Sequence, residues 1–256
     1  MNSTAGHLKE AIAAANKDLT KLKHMKVTGT LNAYDFRIMR DSMFALAALN
    51  LKEARIKKGA CISDVDRAYI AGDDDEMPSC SFENKRLLAN FVFPDTLKAI
   101  KQSAFHASGL TGSLNISEGV VEIENGAFEN IRTLNGTLSL PSTLKKITGV
   151  NTFLYTNFVC ELKLPDALEE IGDQCFLLEL SREVVVIETT VGNAAQILRQ
   201  DYLALESIVG KGTLAYRSDA VVQLEVAAKP ASFECSMESI GAESGNQTDG
   251  GAFQNV

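Results

Sequence analysis

The stretch LPSTLKKI, Leu140 to Ile147, has a near copy in LPDALEEI, Leu164 to Ile171, and a looser one in FPDTLKAI, Phe93 to Ile100. Aligning their apolar letters adds a fourth copy, SLNISEGVVEIENGAF. Each copy opens on an apolar–any–apolar pair: Phe91 and Phe93, Leu114 and Ile116, Leu138 and Leu140, Leu162 and Leu164. These pairs recur at steps of 23, 24 and 24 residues. Three more apolar columns follow in register: Leu97, Val120, Leu144 and Leu168; Ile100, Ile123, Ile147 and Ile171; and Phe105, Phe128, Phe153 and Phe176. Phe153 comes one residue late because ITGVNTF is longer than IENGAF.

A period of about 20–29 residues built on an L-x-L strand marks a leucine-rich solenoid, in which each coil buries its apolar face only by stacking on its neighbours. Alternation along the strand sends both apolar residues to one side, and coils stacked ~4.8 Å apart align their strands into a parallel sheet over ladders of Leu and Ile. Leu140 is therefore read as core. Pro94, Pro141 and Pro165 end the strand and start a turn. Two small-residue columns fit the same stack: Ala89, Gly112, Gly136 and Cys160 before the strand, and Ala104, Ala127, Thr152 and Cys175 before the Phe. Cys160 and Cys175 are read as small buried fillers.

The register extends both ways. Upstream, Ala68, Ile70, Met77 and Phe82 reproduce the spacing of Phe91, Phe93, Ile100 and Phe105, with the acidic run DDDE in place of the second column. Met25 and Val27 lie one 24-residue period before Leu49 and Leu51. Between them Phe36, Met39 and Met43 have helical spacing, which predicts a helix on the outer side of an early coil. Leu8, Ile12, Ala15, Leu19 and Leu22 share one helical face, with Ser3 or Thr4 as N-cap, so residues 1–26 are expected to form a helical cap over the open end.

Downstream, Val185, Ile187 and Val191 keep the register, after which the third and fourth columns fail at Ala194 and Arg199. NAAQILRQDYLALESIV is read as a helix or a distorted coil. Leu224 and Val226 begin a last coil, and GAESGNQTDGG is Gly-rich enough for a loop. The expected organisation is a leucine-rich repeat solenoid, α/β but β-rich, of roughly eight coils. Residues 27–190 form its regular part, and residues 191–256 irregular coils of the same domain.

The copies resemble the BspA-like leucine-rich repeat family, whose coils read roughly as LPxSLxxIGxxAFxxCxxL; LPDALEEIGDQCF matches best. VTGTLNAYDFRIMRDSMFALAALNLKEARI resembles the N-terminal stretch of surface members from Bacteroides and relatives. The resemblance covers residues 22 to 180. It implies a non-enzymatic, adhesin-like protein of the bacterial cell surface or a secreted one, which recognises a host extracellular protein or a glycan. Two other readings stand beside it: a structural spacer of a larger surface protein, with more chain after Val256, and a hydrolase whose site is assembled from distant coils.

Composition narrows the alternatives. With 25 Lys and Arg against 33 Asp and Glu, the net charge is −8 and the pI near 5.0, so a phosphate backbone is repelled and no nucleic-acid partner is expected. No apolar run reaches the ~20 residues of a membrane span, and the first residues lack the pattern of an export signal. Five cysteines, Cys61, Cys80, Cys160, Cys175 and Cys235, show neither disulfide-framework nor zinc spacing. His7, His24 and His106 lie in no catalytic or metal-binding motif, and GxSxG, HExxH and phosphate-loop patterns are absent. Asp73, Asp74, Asp75 and Glu76 lack the alternating spacing of a calcium loop and are read as a solvated turn. No catalytic residue, metal or cofactor is assigned. The sequons at Asn115 and Asn135 are read as chance.

Alternation leaves one strip for recognition, the open side of the sheet: Asn90 and Val92, Ser113 and Asn115, Thr137 and Ser139, Glu161 and Lys163. The strip is small and polar, and the chain has no Trp, which argues against a tight hydrophobic interface there. Repetition along it favours multivalent contact. Tyr34, Phe36 and Phe44, at helical spacing, are read as core.

Overall fold

A computed structural model describes residues 1–62, 68–158, 162–172, 175, 185–189, 212–215 and 221–226, the last three segments as backbone strands. The chain winds into a parallel-strand solenoid of about seven turns with coils of ~24 residues. Expectations for Cys160, Phe176, Ala194, Arg199, the NAAQILRQDYLALESIV stretch and GAESGNQTDGG lie outside the described residues.

The coils build two parallel ladders. The first runs through His24–Lys26, Ala48–Asn50, Asn90–Val92, Leu114–Asn115, Leu138–Ser139, Leu162–Lys163, Val185–Thr189 and Val221–Val226, hydrogen-bonded in three groups. The second runs without a break through Glu76–Met77, Ala99–Ile100, Glu122–Ile123, Lys146–Ile147 and Glu170–Ile171. Its register sets Met77, Ile100, Ile123, Ile147 and Ile171 opposite one another, which is the third column read from the sequence. Leu97, Val120, Leu144 and Leu168 are buried beside them. Between strand and turn, Leu97, Leu144 and Leu168 each donate a backbone N–H to the carbonyl of the proline three residues back.

The phenylalanines form the spine. Phe82, Phe105, Phe128 and Phe153 stack in order with ring centroids 5.4, 5.3 and 5.4 Å apart. Each ring is held by its own backbone: the N–H groups of Phe82, Phe105, Phe128 and Phe153 donate to the carbonyls of Ala104, Ala127, Thr152 and Cys175 in the next coil. That bond requires close approach, which explains the small column. The same holds at Gly136, where a Cβ would lie 2.5 Å from Ser113 Oγ and 2.8 Å from the Gly112 carbonyl carbon. Two positions flanking each Phe carry positive φ: Cys80, Ser103, Gly126 and Asn151 before it, and Asn84, Ala107, Asn130 and Tyr155 after it. Only one of these eight is Gly, so the turn geometry is imposed by the stack and not by residue type.

Helix α1, Leu8–Ala14, and helix α2, Ala33–Asp41, cover the first coils. The predicted cap helix is shorter than expected. His7 is its N-cap in place of Ser3 or Thr4, it ends at Ala14 with Asn16 at φ +52° in the turn beyond, and Leu19 and Leu22 reach the core from the turns that follow. Ser3 is used instead in a short strand, Asn2–Ser3, paired with Thr28–Gly29. Asp35 joins the two helices. Its buried carboxylate accepts from Asn32 N–H at 2.9 Å, closing the capping box of α2, and from Gly6 and Leu8 N–H at 2.7 and 2.9 Å, satisfying the start of α1. Phe36, Met39 and Met43 are fully buried as their spacing predicts, whereas Tyr34 is exposed and Phe44 is 66% exposed, contrary to the core reading.

Four other expectations change. Ala68 and Ile70 are exposed and do not occupy the strand column. Ala68–Ala71 pairs antiparallel with Gly59–Ile62 in a hairpin, and Asn90–Val92 pairs directly with Ala48–Asn50, so this coil is 42 residues long from Leu49 to Phe91. Tyr69 turns inward instead, to Arg40 Nη1 at 2.8 Å and Asp41 at 3.1 Å. Leu140 packs against the core from a half-buried position and is not fully enclosed. Ile187, not Val185, pairs with Leu162, a slip of two residues; Leu224 and Val226 then continue the ladder opposite Ile187 and Thr189.

Asp75 completes the list, because it is buried to 1% and not solvated. It binds Arg55 Nη2 at 2.5 Å and Thr96 Oγ1 at 2.9 Å.

Candidate binding face

The open side of the first ladder is a surface that successive coils build together. In-register pairing places side chains in rows across it. One row runs His24, Ala48, Asn90, and another Lys26, Asn50, Val92; further along, Asn115 stands opposite Ser139. Asn90, Val92, Ser113, Asn115, Thr137 and Ser139 are all exposed on this side. Glu161 lies outside the described residues, and Lys163 is described as backbone, opposite Glu188.

His24, Lys26, Ala48 and Asn50 extend the face and were missed, because the irregular coil between Leu49 and Phe91 broke the period that reveals the strip. The signal was available in the 24-residue step from Met25 to Leu49, whose flanking residues had to be outward. Together with Asn90 and Val92 these residues line a shallow depression of about 320 Å³.

The rows are not equally closed. Ser113 Oγ accepts from Thr137 N–H at 3.0 Å and from Thr137 Oγ1 at 3.1 Å, knitting those coils together. Between Asn90–Val92 and Leu114–Asn115, however, no strand pairing forms. The backbone directions show the consequence. Asn90 N–H donates back to Ala47 O and Val92 O accepts from Leu51 N–H, while Leu114 and Ile116 N–H donate forward to Thr137 and Ser139 O. In a parallel strand, alternate residues address opposite neighbours, so Phe91 on one edge and Asn115 on the other face each other without a ladder partner.

At that opening lies a cleft of about 350 Å³. Its rim carries Lys52, Asn90, Asp95, Thr111, Ser113 and Asn115, and its floor includes Phe91, Leu110 and Leu114. Phe91 is fixed from below, its ring centroid 5.3 Å from Phe82, 4.8 Å from Phe93 and 4.9 Å from Phe105. Asp95 N–H donates to Lys52 O at 3.0 Å, which holds the two charged rim residues side by side. Four residues singled out from the sequence, Asn90, Val92, Ser113 and Asn115, meet at this cleft; Thr137 and Ser139 stand beyond it.

The titratable groups elsewhere serve the fold. His7 lies 4.0 Å from Glu10, His106 3.8 Å from Glu83, and His24 stands exposed at the end of the face, so no two histidines share a site. In the acidic run, Asp73 N–H donates to Glu76, Asp74 pairs with Lys57 at 2.7 Å and accepts from Lys58 N–H, and Asp75 pairs with Arg55. Burial opposes ionisation of Asp75, but hydrogen bonds from Arg55, Thr96 and Ile56 N–H, with the Arg55 charge, outweigh it and hold the carboxyl below its usual range. Among the described residues no group of three or more His, Cys, Asp or Glu comes together in a metal-binding arrangement. No described helix is long and apolar enough to cross a membrane.

Comparison with known proteins agrees with the repeat. Residues 75–196 match the BspA type leucine rich repeat region in six copies. Among solved structures, the chain is similar to a leucine-rich repeat protein from Bacteroides ovatus, with 21% identity and a TM-score of 0.39, covering 55% of this chain and 39% of that one. It is also similar to the pneumococcal vaccine antigen PcpA, with 13% identity and a TM-score of 0.34, covering 82% of this chain and 60% of that one. The chain thus spans less than two thirds of either neighbour's length. No curated protein matches it. The chain is a leucine-rich repeat protein whose residues 75–196 match the BspA type repeat region.

Proposed function

We propose that this solenoid is a non-enzymatic binding module, displayed on a bacterial surface or secreted, that engages a protein or glycan ligand through the open side of its first strand ladder. The observation that carries the reading is the set of exposed, mostly polar side chains that the strands of the first ladder present on one side, among them His24, Lys26, Asn90, Asn115 and Ser139, over a contiguous buried apolar core. Such a face offers repeated, individually weak contacts whose strength comes from multiplicity. The BspA-type repeat supports the surface setting.

Binding of the purified chain to immobilised host matrix proteins and glycans, at low and physiological salt, tests it. Saturable capture that weakens for Asn115→Ala, Ser139→Ala and Lys163→Ala is expected. Silence across the panel, or capture untouched by all three changes, would sink the open-face reading and favour a structural spacer.

A further inference from the structure

The geometry points to an uncharged sugar unit as the ligand of the cleft between Asn90–Val92 and Leu114–Asn115. This inference rests on the binding-module reading and goes one step beyond it, to the class of ligand and the place. Three observations carry it.

The first is size. At about 350 Å³ the cleft lies at the low end of ligand-sized clefts, roughly 300–1,000 Å³, which suits a saccharide unit and not a protein side of an interface. The opening is also local. The coils stay joined by Gly109 N–H to Lys85 O at 3.1 Å and by Thr111 N–H to Ala89 O at 3.1 Å, so an extended peptide cannot slide between them as an added strand.

The second is the hydrogen-bonding character of the rim. Asn90 and Asn115 present amides that both donate and accept, Thr111 keeps acceptor lone pairs on a hydroxyl that donates to Ala89 O, Ser113 keeps its O–H while its oxygen accepts from Thr137, and the edges at Phe91 and Asn115 add backbone groups with no ladder partner. A sugar hydroxyl likewise donates and accepts, so a ring of hydroxyls can satisfy such a rim from several directions. The third is charge. Lys52 and Asp95, the two charged residues that line the cleft, carry opposite charges, so the lining itself favours neither an anion nor a cation. The apolar floor of Phe91, Leu110 and Leu114 matches the C–H face of a pyranose.

The test uses the full chain, with isotopic labelling, titrated in solution with galactose, mannose, N-acetylglucosamine and N-acetylgalactosamine, and separately with the anionic N-acetylneuraminic and glucuronic acids. The expected result is saturable shifts for at least one neutral sugar, confined to the backbone amides of Phe91 and Asn115 and the side-chain amides of Asn90 and Asn115. Asn115→Ala should weaken that binding by roughly tenfold, through loss of one hydrogen bond in a partly desolvated site, and Asn115→Trp should abolish it by filling the cleft. Lys145→Gln, at an exposed position beside the second ladder and outside the cleft, should leave it unchanged. Asn115 is exposed, so both variants are expected to melt with the parent, and that is checked alongside.

No shift with any neutral sugar, shifts mapping outside the cleft, a response to the anionic sugars alone, or indifference to Asn115→Trp would each overturn the inference. The two readings separate cleanly. Capture of an immobilised protein that is lost in Ser139→Ala but not in Asn115→Trp would leave the open-face module standing and remove the sugar site.

Discussion

The rings of Phe128 and Phe153 lie parallel, 1° and 5.4 Å apart, although 25 residues separate them where Phe105 and Phe128 are separated by 23. The longer coil absorbs its extra length in the turn through Gly149, Val150 and Asn151, with φ +80° at Gly149 and +62° at Asn151, and leaves the stack undisturbed. Packing of the spine therefore overrides local chain length. Phe128 touches rings on both sides, so Phe128→Ala should cost about 3–5 kcal/mol, a large part of a domain's typical stability. Chemical unfolding of the variant checks this. A cost under about 1 kcal/mol would show that the spine relaxes around the cavity.

Leu140 and Leu144 test how deep the core runs. Leu144 is fully enclosed, and Leu140 is half-buried at its margin. Leu144→Ala should lose about 2–5 kcal/mol, and Leu140→Ala clearly less, because its cavity opens to solvent and fills. Equal losses in matched denaturant curves would place Leu140 deeper than its exposure indicates.

Asp75 predicts acid sensitivity. Its folded carboxyl titrates below the ordinary Asp value of ~3.9, so the stability it contributes is fully present above that value and is lost as pH falls toward and through the lower folded value. Melting temperatures across that acidic range should drop more steeply for the parent than for Asp75→Asn, which is less stable at neutral pH. Parallel curves would mean that Arg55 and Thr96 do not hold the ionised form.

Lys85 adds a trend of the same sign at alkaline pH. Its Nζ donates to Arg40 O at 2.9 Å and Met43 O at 2.6 Å, capping the end of α2. Burial pushes the amine down to about 8, with Asp41 opposing and Arg40 adding to the shift. Between there and the unfolded value near ~10.4, the unfolded chain binds more protons than the folded one, so this group makes stability rise with pH. The difference in melting temperature between the parent and Lys85→Gln should therefore shift in the parent's favour between those values. A pH-independent difference would show that Lys85 stays charged in its site.

The sequence by itself determined the coil, because a periodic apolar code leaves few alternatives: residues at fixed spacing must meet when coils stack, and the columns Leu144, Ile147 and Phe153 are buried as the spacing requires. It also determined which side of the strand faces out, since alternation assigns Asn115 and Ser139 to the open face once Leu114 and Leu138 are inside. What it did not carry is whatever depends on contact between coils and not on order within one. The hairpin that hides Tyr69 interrupts the period with letters that imitate it. The left-handed positions flanking each Phe hold Cys, Ser, Gly, Asn, Ala or Tyr, and no single residue type announces them. The cleft exists only because the strands ending at Val92 and beginning at Leu114 fail to pair, and a missing hydrogen bond between coils leaves no mark on the spelling of either. Tertiary structure decided these features, since each is a balance between neighbouring coils that no single coil contains.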